Sequence, residues 1–242
     1  MVLVGGAGRM GQALAEGLSA RKGLHVVGLV DPHEPAQLFS ARYYRALEEI
    51  SDPVDAVVDF SKPESVVTSA DWCVAHGVGL VVGTTGLSED QRARLEVAGQ
   101  SVGVVLAANF SLGAVLAERF AALAAPYFDR VEIIELHHDR KADAPSGTSL
   151  ATARALREAR ARVARVNPPE PTERLTLEGA RGADAGDGVR IHSVRLPGLV
   201  AHQEILFGGP GEGLTIRHDS YDRQSFVQGV ALALAHVNDK AG

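Results

Sequence analysis

A single cysteine, Cys73, stands among 242 residues, so neither an internal disulfide nor a multi-cysteine metal site can form within the chain. Cys73 lies in an apolar-patterned segment where a buried, inert thiol is expected, and such sparing use of cysteine fits a reducing cytoplasm. An excess of positive charge is missing too: 24 Lys and Arg against 30 Asp and Glu give a net charge of −6. Binding to a phosphate backbone demands the reverse, so nucleic acid is not an expected partner. No apolar run approaches the ~18 residues of a membrane helix. Met1-Val2-Leu3-Val4 has no basic stretch ahead of it, as a secretory signal would, and reads as a strand; no membrane partner is expected. Internal repeats and low-complexity tracts are absent. With 45% hydrophobic and 22% charged residues, the composition is that of a globular chain rather than a disordered one. The residue in excess is glycine, 26 in all, mostly in short turns beside apolar runs, where backbone approaches something closely.

Five short apolar runs mark the first hundred or so residues: Val2 to Val4, Val26 to Val30, Val54 to Phe60, Leu80 to Val82 and Val102 to Ala107. Between most of them lie segments of helical spacing, such as Met10, Leu14 and Leu18, then Val66, Val67, Ala70 and Val74. The pattern predicts β-α-β units and a parallel sheet. A short extra strand is expected at Ala41 to Tyr44. After Asn109 the grammar changes: a helix from Leu112 to Leu123 is followed by strands at Val131 to Leu136, Val189 to Leu196, His202 to Phe207 and Gly213 to Arg217. These predict a second, smaller α+β domain with an antiparallel or mixed sheet. Asp222 to Val237 returns to helical spacing, with Phe226, Val230, Leu234 and Val237 on one face, and is expected to pack back on the first domain. The expected domains are therefore 1–108 with 219–242, and 109–218. Residues 167–171 read as a stiff proline-rich loop, and Gly179 to Gly188 as a flexible one.

Gly5-Gly6-Ala7-Gly8-Arg9-Met10-Gly11 directly follows the first strand and opens the first helix. Glycines in that context permit a tight turn, admit a pyrophosphate close to the backbone and leave its charge on the helix N-terminus. Asp31, at the end of the second strand, is placed to accept hydrogen bonds from an adenosine ribose. Loop, strand, helix and acid in this order predict a Rossmann-like dinucleotide-binding domain, rather than an ordinary turn beside a surface Asp. Gly83-Thr84-Thr85-Gly86 and Ala107-Ala108-Asn109-Phe110 follow the fourth and fifth runs. There an open parallel sheet binds ligands, and their small residues suit the flanks of a nicotinamide ring.

The densest run of chemical groups extends from Glu135 to Thr148. On a regular strand His137 and His138 would face opposite ways, so they share a site only if the strand ends there and the chain turns. No carboxylate or cysteine pattern of ligand spacing accompanies them, so no metal is expected. Ser146-Gly147-Thr148 opens a helix running roughly to Val166; it is a capping sequence first, but the same backbone donors can bind a carboxylate. With Lys141 and the two imidazoles, the segment is a receptor for a small dianion. Arg154, Arg157, Arg160, Arg162 and Arg165 read as a solvated helix face.

These residues closely resemble the E-x-H-H-x-x-K-x-D-x-P-S-G-T motif of the dihydrodipicolinate reductase family, the 4-hydroxy-tetrahydrodipicolinate reductases of bacterial lysine biosynthesis. Gly5 to Gly11 looks like the family's G-x-x-G-R-M-G, Asp59-Phe60-Ser61 like its D-F-[ST], Gly83 to Gly86 like its G-T-T-G, and Ala107 to Ser111 like its A-x-N-F-S. Arg195, Gly198, His202, Phe207, Glu212, His218, Ser220 and Arg223 keep its order. The resemblance implies hydride transfer from NADH or NADPH to a cyclic dicarboxylate, giving tetrahydrodipicolinate on the way to diaminopimelate and lysine. It implies a second domain that carries substrate and builds a homotetramer through its sheet. His137 and Lys141 take the catalytic positions; His138, Ser146, Gly147 and Thr148 lie at the substrate. Where some members place a basic residue after the acid of the second strand, this chain has Pro32 and His33, so NADH is expected to serve at least as well as NADPH. Arg9 could still pair with a phosphate. The segment between Asp31 and Val54 is short for the family. Two other readings are another two-domain NAD(P)-dependent dehydrogenase, such as an aspartate dehydrogenase, and a catalytically silent nucleotide sensor. Neither has a use for the His-His-x-x-Lys run.

Overall fold

The computed structural model describes residues 1–164, 168 and 170–239, in two compact units: Met1–Ser111 with Arg223–Gly242, and Leu112–Asp222. Of the residues singled out above, Arg165, Val166, Asn167 and Pro169, with 240–242, lie outside the described set.

The first unit holds six parallel strands: β1 (Val2–Val4), β2 (Gly28–Val30), β3 (Arg42–Tyr44), β4 (Ala56–Asp59), β5 (Gly79–Val82) and β6 (Val104–Leu106), in the order β3-β2-β1-β4-β5-β6. The central strands are apolar at nearly every position because both sheet faces are covered. Val2, Val57 and Leu80 pack with Val66, Ala70 and Cys73 of α2 (Pro63–His76) and with Leu95 and Ala98 of α3 (Glu89–Gly99). Leu3, Leu29, Val58 and Val81 meet Leu14 and Leu18 of α1 (Arg9–Ser19) on the opposite face. Cys73 is fully buried, and burial pushes its thiol up to about 12, as expected of an inert core residue. The C-terminal segment starts as a 3-10 turn, Arg223–Phe226, before the α-helix Val227–His236. Val227 and Val230 join the α1 side of this core, as the apolar spacing predicts.

The second unit is a mixed sheet of β7 (Arg130–His137), β8 (Ala183–Asp184), β9 (Arg190–Arg195), β10 (Ala201–Gly209) and β11 (Glu212–Ser220), in the order β11-β10-β7-β9-β8. Among the described residues only the β7–β9 pairing of this sheet is parallel. Val131, Ile133, Ile191, Ile205 and Phe207 point to one face, packed on Ala121 of α4 (Leu112–Ala124) and on Ala153 and Leu156 of α5 (Gly147–Ala161). Two expectations need correction. The glycine-rich stretch at 179–188 is not simply a flexible loop, because Ala183–Asp184 pairs with β9. Nor is the arginine series all solvated: Arg160 is buried, donating to the carbonyls of Ala125 and Phe128 just past α4. It falls on the inward stripe of Ala153 and Leu156, where its guanidinium satisfies carbonyls that the end of α4 leaves open. Helix α5 itself ends at Ala161, short of the expected end near Val166.

Candidate active site

In the first unit the sheet order reverses between β1 and β4, and ligands of open parallel sheets bind in the crevice at such a switch point. A cavity of about 550 Å³ lies there, lined among others by Gly5, Gly8, Asp31, Arg45, Lys62 and Ser69. Gly5 takes a left-handed φ of 84° and donates its N–H to Val30 O at 2.9 Å, which turns the chain from β1 into α1. A Cβ on Gly11 would stand 2.2 Å from Gly5 O, so only glycine lets α1 come this near the loop. Gly8 is the N-cap of α1 without a side-chain cap, and the first turn has no acid. The leading N–H groups beside Arg9 and Met10 thus keep their affinity for an anion. The Asp31 carboxylate accepts from Ala7 N at 3.1 Å and His33 N at 3.0 Å, which fixes it at the rim of the same loop. These features fit the pyrophosphate and ribose of a dinucleotide. Sequence reasoning missed Gln12, whose amide bonds Gly6 O and Gln37 O while its oxygen accepts from Gln37 N. It ties the glycine loop to the segment after Asp31.

The loops after β5 and β6 divide into exposed and buried members. Thr84 is buried and donates to Asp59 at 2.8 Å, while Gly83 is half-buried and Thr85 exposed. Phe110 is buried with its ring against Phe60, centroids 5.5 Å apart, and Asn109 accepts from Ser111 N. Ala107 and Ala108 remain partly or fully exposed. A cofactor would therefore meet the backbone here and the Thr85 side chain, not those of Thr84 or Phe110.

In the second unit, alternation along β7 turns Val131, Ile133 and Glu135 toward the core. Glu135 is fully buried, a costly place for a carboxylate unless it is paired. Here Oε2 bonds Nδ1 of His137 and Oε1 accepts from Arg195 Nη2 at 2.7 Å. The same Arg195 nitrogen bonds Asp143 O at 2.8 Å, fastening the loop after β7 to β9. The strand ends at His137 and the chain turns, Lys141 N bonding His138 O, which gives the geometry that two adjacent histidines need to share a site. Lys141 Nζ is ion-paired with Asp143 at 2.7 Å. Burial lowers the pKa of His137; the Glu135 carboxylate opposes this, and Lys141 and Arg195 add to it. Burial would raise Glu135, but bonds from Arg195, Ser193 and His137 hold it below the ordinary range.

Helix α5 opens in the same cluster. Ser146 is buried, its hydroxyl accepting from Ser149 N at 3.2 Å as N-cap and meeting Ser149 Oγ at 2.9 Å. Ser149 donates to Gln203 Oε1 at 2.6 Å, and Gln203 donates to Thr152 at 3.0 Å, so a buried polar network anchors the helix start to β10. The Ser146 hydroxyl is committed to this cap, and the first turn, with Gly147 and Thr148, carries no acid. Sequence reasoning gave no role to Glu135, Arg195 or Gln203; the signal for Glu135 was its inward position, two residues before a histidine on the same face of the strand. Among the described residues no group of three or more His, Cys, Asp or Glu side chains could hold a metal ion.

A crevice whose features fit a dinucleotide in one unit, and two histidines and a lysine gathered at one strand end in the other, are what a two-unit nucleotide-dependent oxidoreductase requires. Residues 1–110 match the family model for the N-terminus of dihydrodipicolinate reductase, and 113–242 the model for its C-terminus. The 4-hydroxy-tetrahydrodipicolinate reductase of Enterococcus faecalis is 46% identical, over 98% of this chain and 93% of its own. That of Nocardia farcinica is 45% identical over 99% and 93%. A dipicolinate-bound dihydrodipicolinate reductase from Paenisporosarcina superposes with a TM-score of 0.87 at 39% identity, covering 99% of this chain and 94% of that one. The chain belongs to the dihydrodipicolinate reductase family.

Proposed function

We propose that the chain catalyses NAD(P)H-dependent reduction of 4-hydroxy-tetrahydrodipicolinate to tetrahydrodipicolinate, a step toward diaminopimelate and lysine. The observation that carries this reading is the cluster of His137, His138 and Lys141 beside the start of α5, in a chain matched to reductases over nearly its whole length. The reduced nicotinamide, when bound, supplies the hydride. The α1 N-terminus at Gly8, Arg9 and Met10 holds the pyrophosphate, and Asp31 the ribose diol. Thr85 and the backbone of Gly83, Thr84 and residues 107–110 flank the ring.

Gly147 and Thr148 N–H groups and the His138 imidazole bind the substrate carboxylates, with Ser146 holding the helix start in place. Reduction of a conjugated imine builds negative charge on the substrate, which Lys141 neutralises by giving up a proton, while His137 donates or accepts at its free nitrogen. Asp31 repels a 2′-phosphate, so NADH serves at least as well as NADPH. Residues 1–108 with 219–242 act as the nucleotide domain and 109–218 as the substrate domain. Helices α4 and α5 cover one face of the second sheet; the other face, with Ile134, Leu136 and Leu206 half-buried, meets further copies of the chain in a homotetramer. The enzyme works in the cytoplasm. Among the described residues no helix is long and apolar enough to cross a membrane.

The test is to supply purified protein with the condensation product of aspartate semialdehyde and pyruvate and follow the loss of NADH or NADPH absorbance. Rapid, substrate-dependent loss is expected; none with either nucleotide overturns the reading.

A further inference from the structure

Buried carboxylates are expensive, and Glu135 serves no purpose as a core residue that an apolar side chain would not serve better. Its neighbours at inward positions of the same strand, Val131 and Ile133, are aliphatic. What distinguishes Glu135 is the allocation of its two oxygens: besides a bond from Ser193, one takes the guanidinium of Arg195 and the other meets Nδ1 of His137. Glu135 is held below the ordinary carboxylate range, so it stays ionised near neutrality and can only accept at both oxygens. Nδ1 of a neutral His137 must therefore carry the proton, which leaves the lone pair on Nε2. Nε2 has no hydrogen-bond partner among the described residues.

Resting on the reductase reading above, we propose that Glu135 is a positioning residue: its buried carboxylate locks His137 in the Nδ1–H tautomer and presents Nε2 to the substrate. Arg195 supports it twice, by keeping Glu135 ionised and by holding the loop of Lys141 through Asp143 O. Imidazole orientation set by a second carboxylate is a recurrent device in acid–base sites, where losing that carboxylate leaves the ring in the wrong tautomer. The groups facing His137 are Glu135 on its own strand, Arg195 from β9 and Lys141 from the following loop. Only the first is anionic, so removing its charge must move the His137 titration further down.

Nitrogen-15 NMR of the imidazoles tests this on the free protein, with His137→Gln used to assign the signal. The wild type is expected to show His137 protonated at Nδ1 and bare at Nε2 above its titration. Glu135→Gln should bring in the Nε2–H form, lower the titration and cut kcat by about 100-fold, the scale of acid–base contributions. Nucleotide affinity should hold within about twofold, and Glu135→Asp should recover part of kcat. A wild-type His137 protonated at Nε2 overturns the proposal without any variant, should Glu135→Gln fail to fold. A folded Glu135→Gln with unchanged tautomer and titration overturns it as well. Because the spectra need no substrate, they judge the tautomer lock separately from the turnover assay that judges the reaction.

Discussion

Thr84 Oγ1 donates to Asp59 Oδ1 at 2.8 Å, joining the carboxyl ends of β4 and β5, the neighbouring strands that run into the nucleotide crevice. Asp59 is fully buried, and its oxygens also accept from Ser61 N, Ser61 Oγ and Ser69 Oγ. One carboxylate thus organises the starts of the loops after β4 and β5 and the flank of α2. This explains why the second threonine of the Gly-Thr-Thr-Gly loop, rather than the first, is left exposed.

Asp59→Ala should therefore cost more than the loss of a surface carboxylate. It leaves the buried Ser69 hydroxyl without its acceptor and Thr84 Oγ1 with only the long bond to Asp59 O at 3.4 Å, and an orphaned buried donor costs about 1–3 kcal/mol. A fall of about 2 kcal/mol in unfolding free energy is expected from urea titration. A change below about 0.5 kcal/mol, the range of surface substitutions, would show that the cluster has no organising role.

Asp31→Ser tests the cofactor reading. If Asp31 holds the ribose diol and repels a 2′-phosphate as proposed, NADH should weaken more than NADPH. Because Asp31 also accepts from Ala7 N and His33 N, a smaller loss common to both nucleotides is expected through the loosened loop. Fluorescence titration with each nucleotide measures the two losses; equal ones refute a part in discrimination.

Lys141→Ala should depress kcat by at least about 100-fold, the low end of what a positioned acid contributes. NADH affinity should be nearly unchanged, since the contacts of Lys141 lie in the second unit, with Asp143. His138→Ala should mainly raise the substrate KM. Steady-state kinetics beside nucleotide titration separate these effects, and near-normal turnover in Lys141→Ala would sink its role as proton donor.

The glycine-rich turn between β1 and α1 is legible in the sequence because its physics is local: a tight turn, a close backbone approach and an uncapped helix start can be read from glycines in order. Strands of three or four residues, such as Val2–Val4 and Gly79–Val82, are legible because burial on both faces makes their runs, here Val2 to Val4 and Leu80 to Val82, continuously apolar. The two-residue strand Ala183–Asp184 was not, since nothing in its side chains selects extended structure; only its pairing with β9 does. Arg160 and Glu135 were hidden for a shared reason. A charged residue at an inward position looks like a break in the apolar pattern until its partner is known, and those partners, Phe128 O and Arg195, lie 32 and 60 positions away.

Acid sensitivity follows from burial of two histidines of the second unit, His137 on β7 and His218 on β11. His137 and His218 both titrate below the ordinary value near 6.5, burial being the leading cause for each, so the fold favours their neutral forms. Between the folded and unfolded values the unfolded chain binds more protons, and stability rises with pH. Their contribution is thus complete above about pH 6.5 and is lost as pH falls from there through the folded values. Glu132, Glu135, Asp143 and Asp219, all lowered, extend the loss into the carboxylate range. Glu118, raised by burial against the pull of Arg154 and Arg119, works in the opposite sense, but only near the carboxylate range. Urea midpoints should therefore fall between about pH 7 and pH 5.5, where the histidines titrate, with the Met1 amine, also lowered by burial, acting in the same sense. In a folded His137→Gln, His218→Gln variant the slope over that window should flatten even if overall stability is lower. A wild-type midpoint that stayed level or rose on acidification would show that neither histidine is held neutral by the fold.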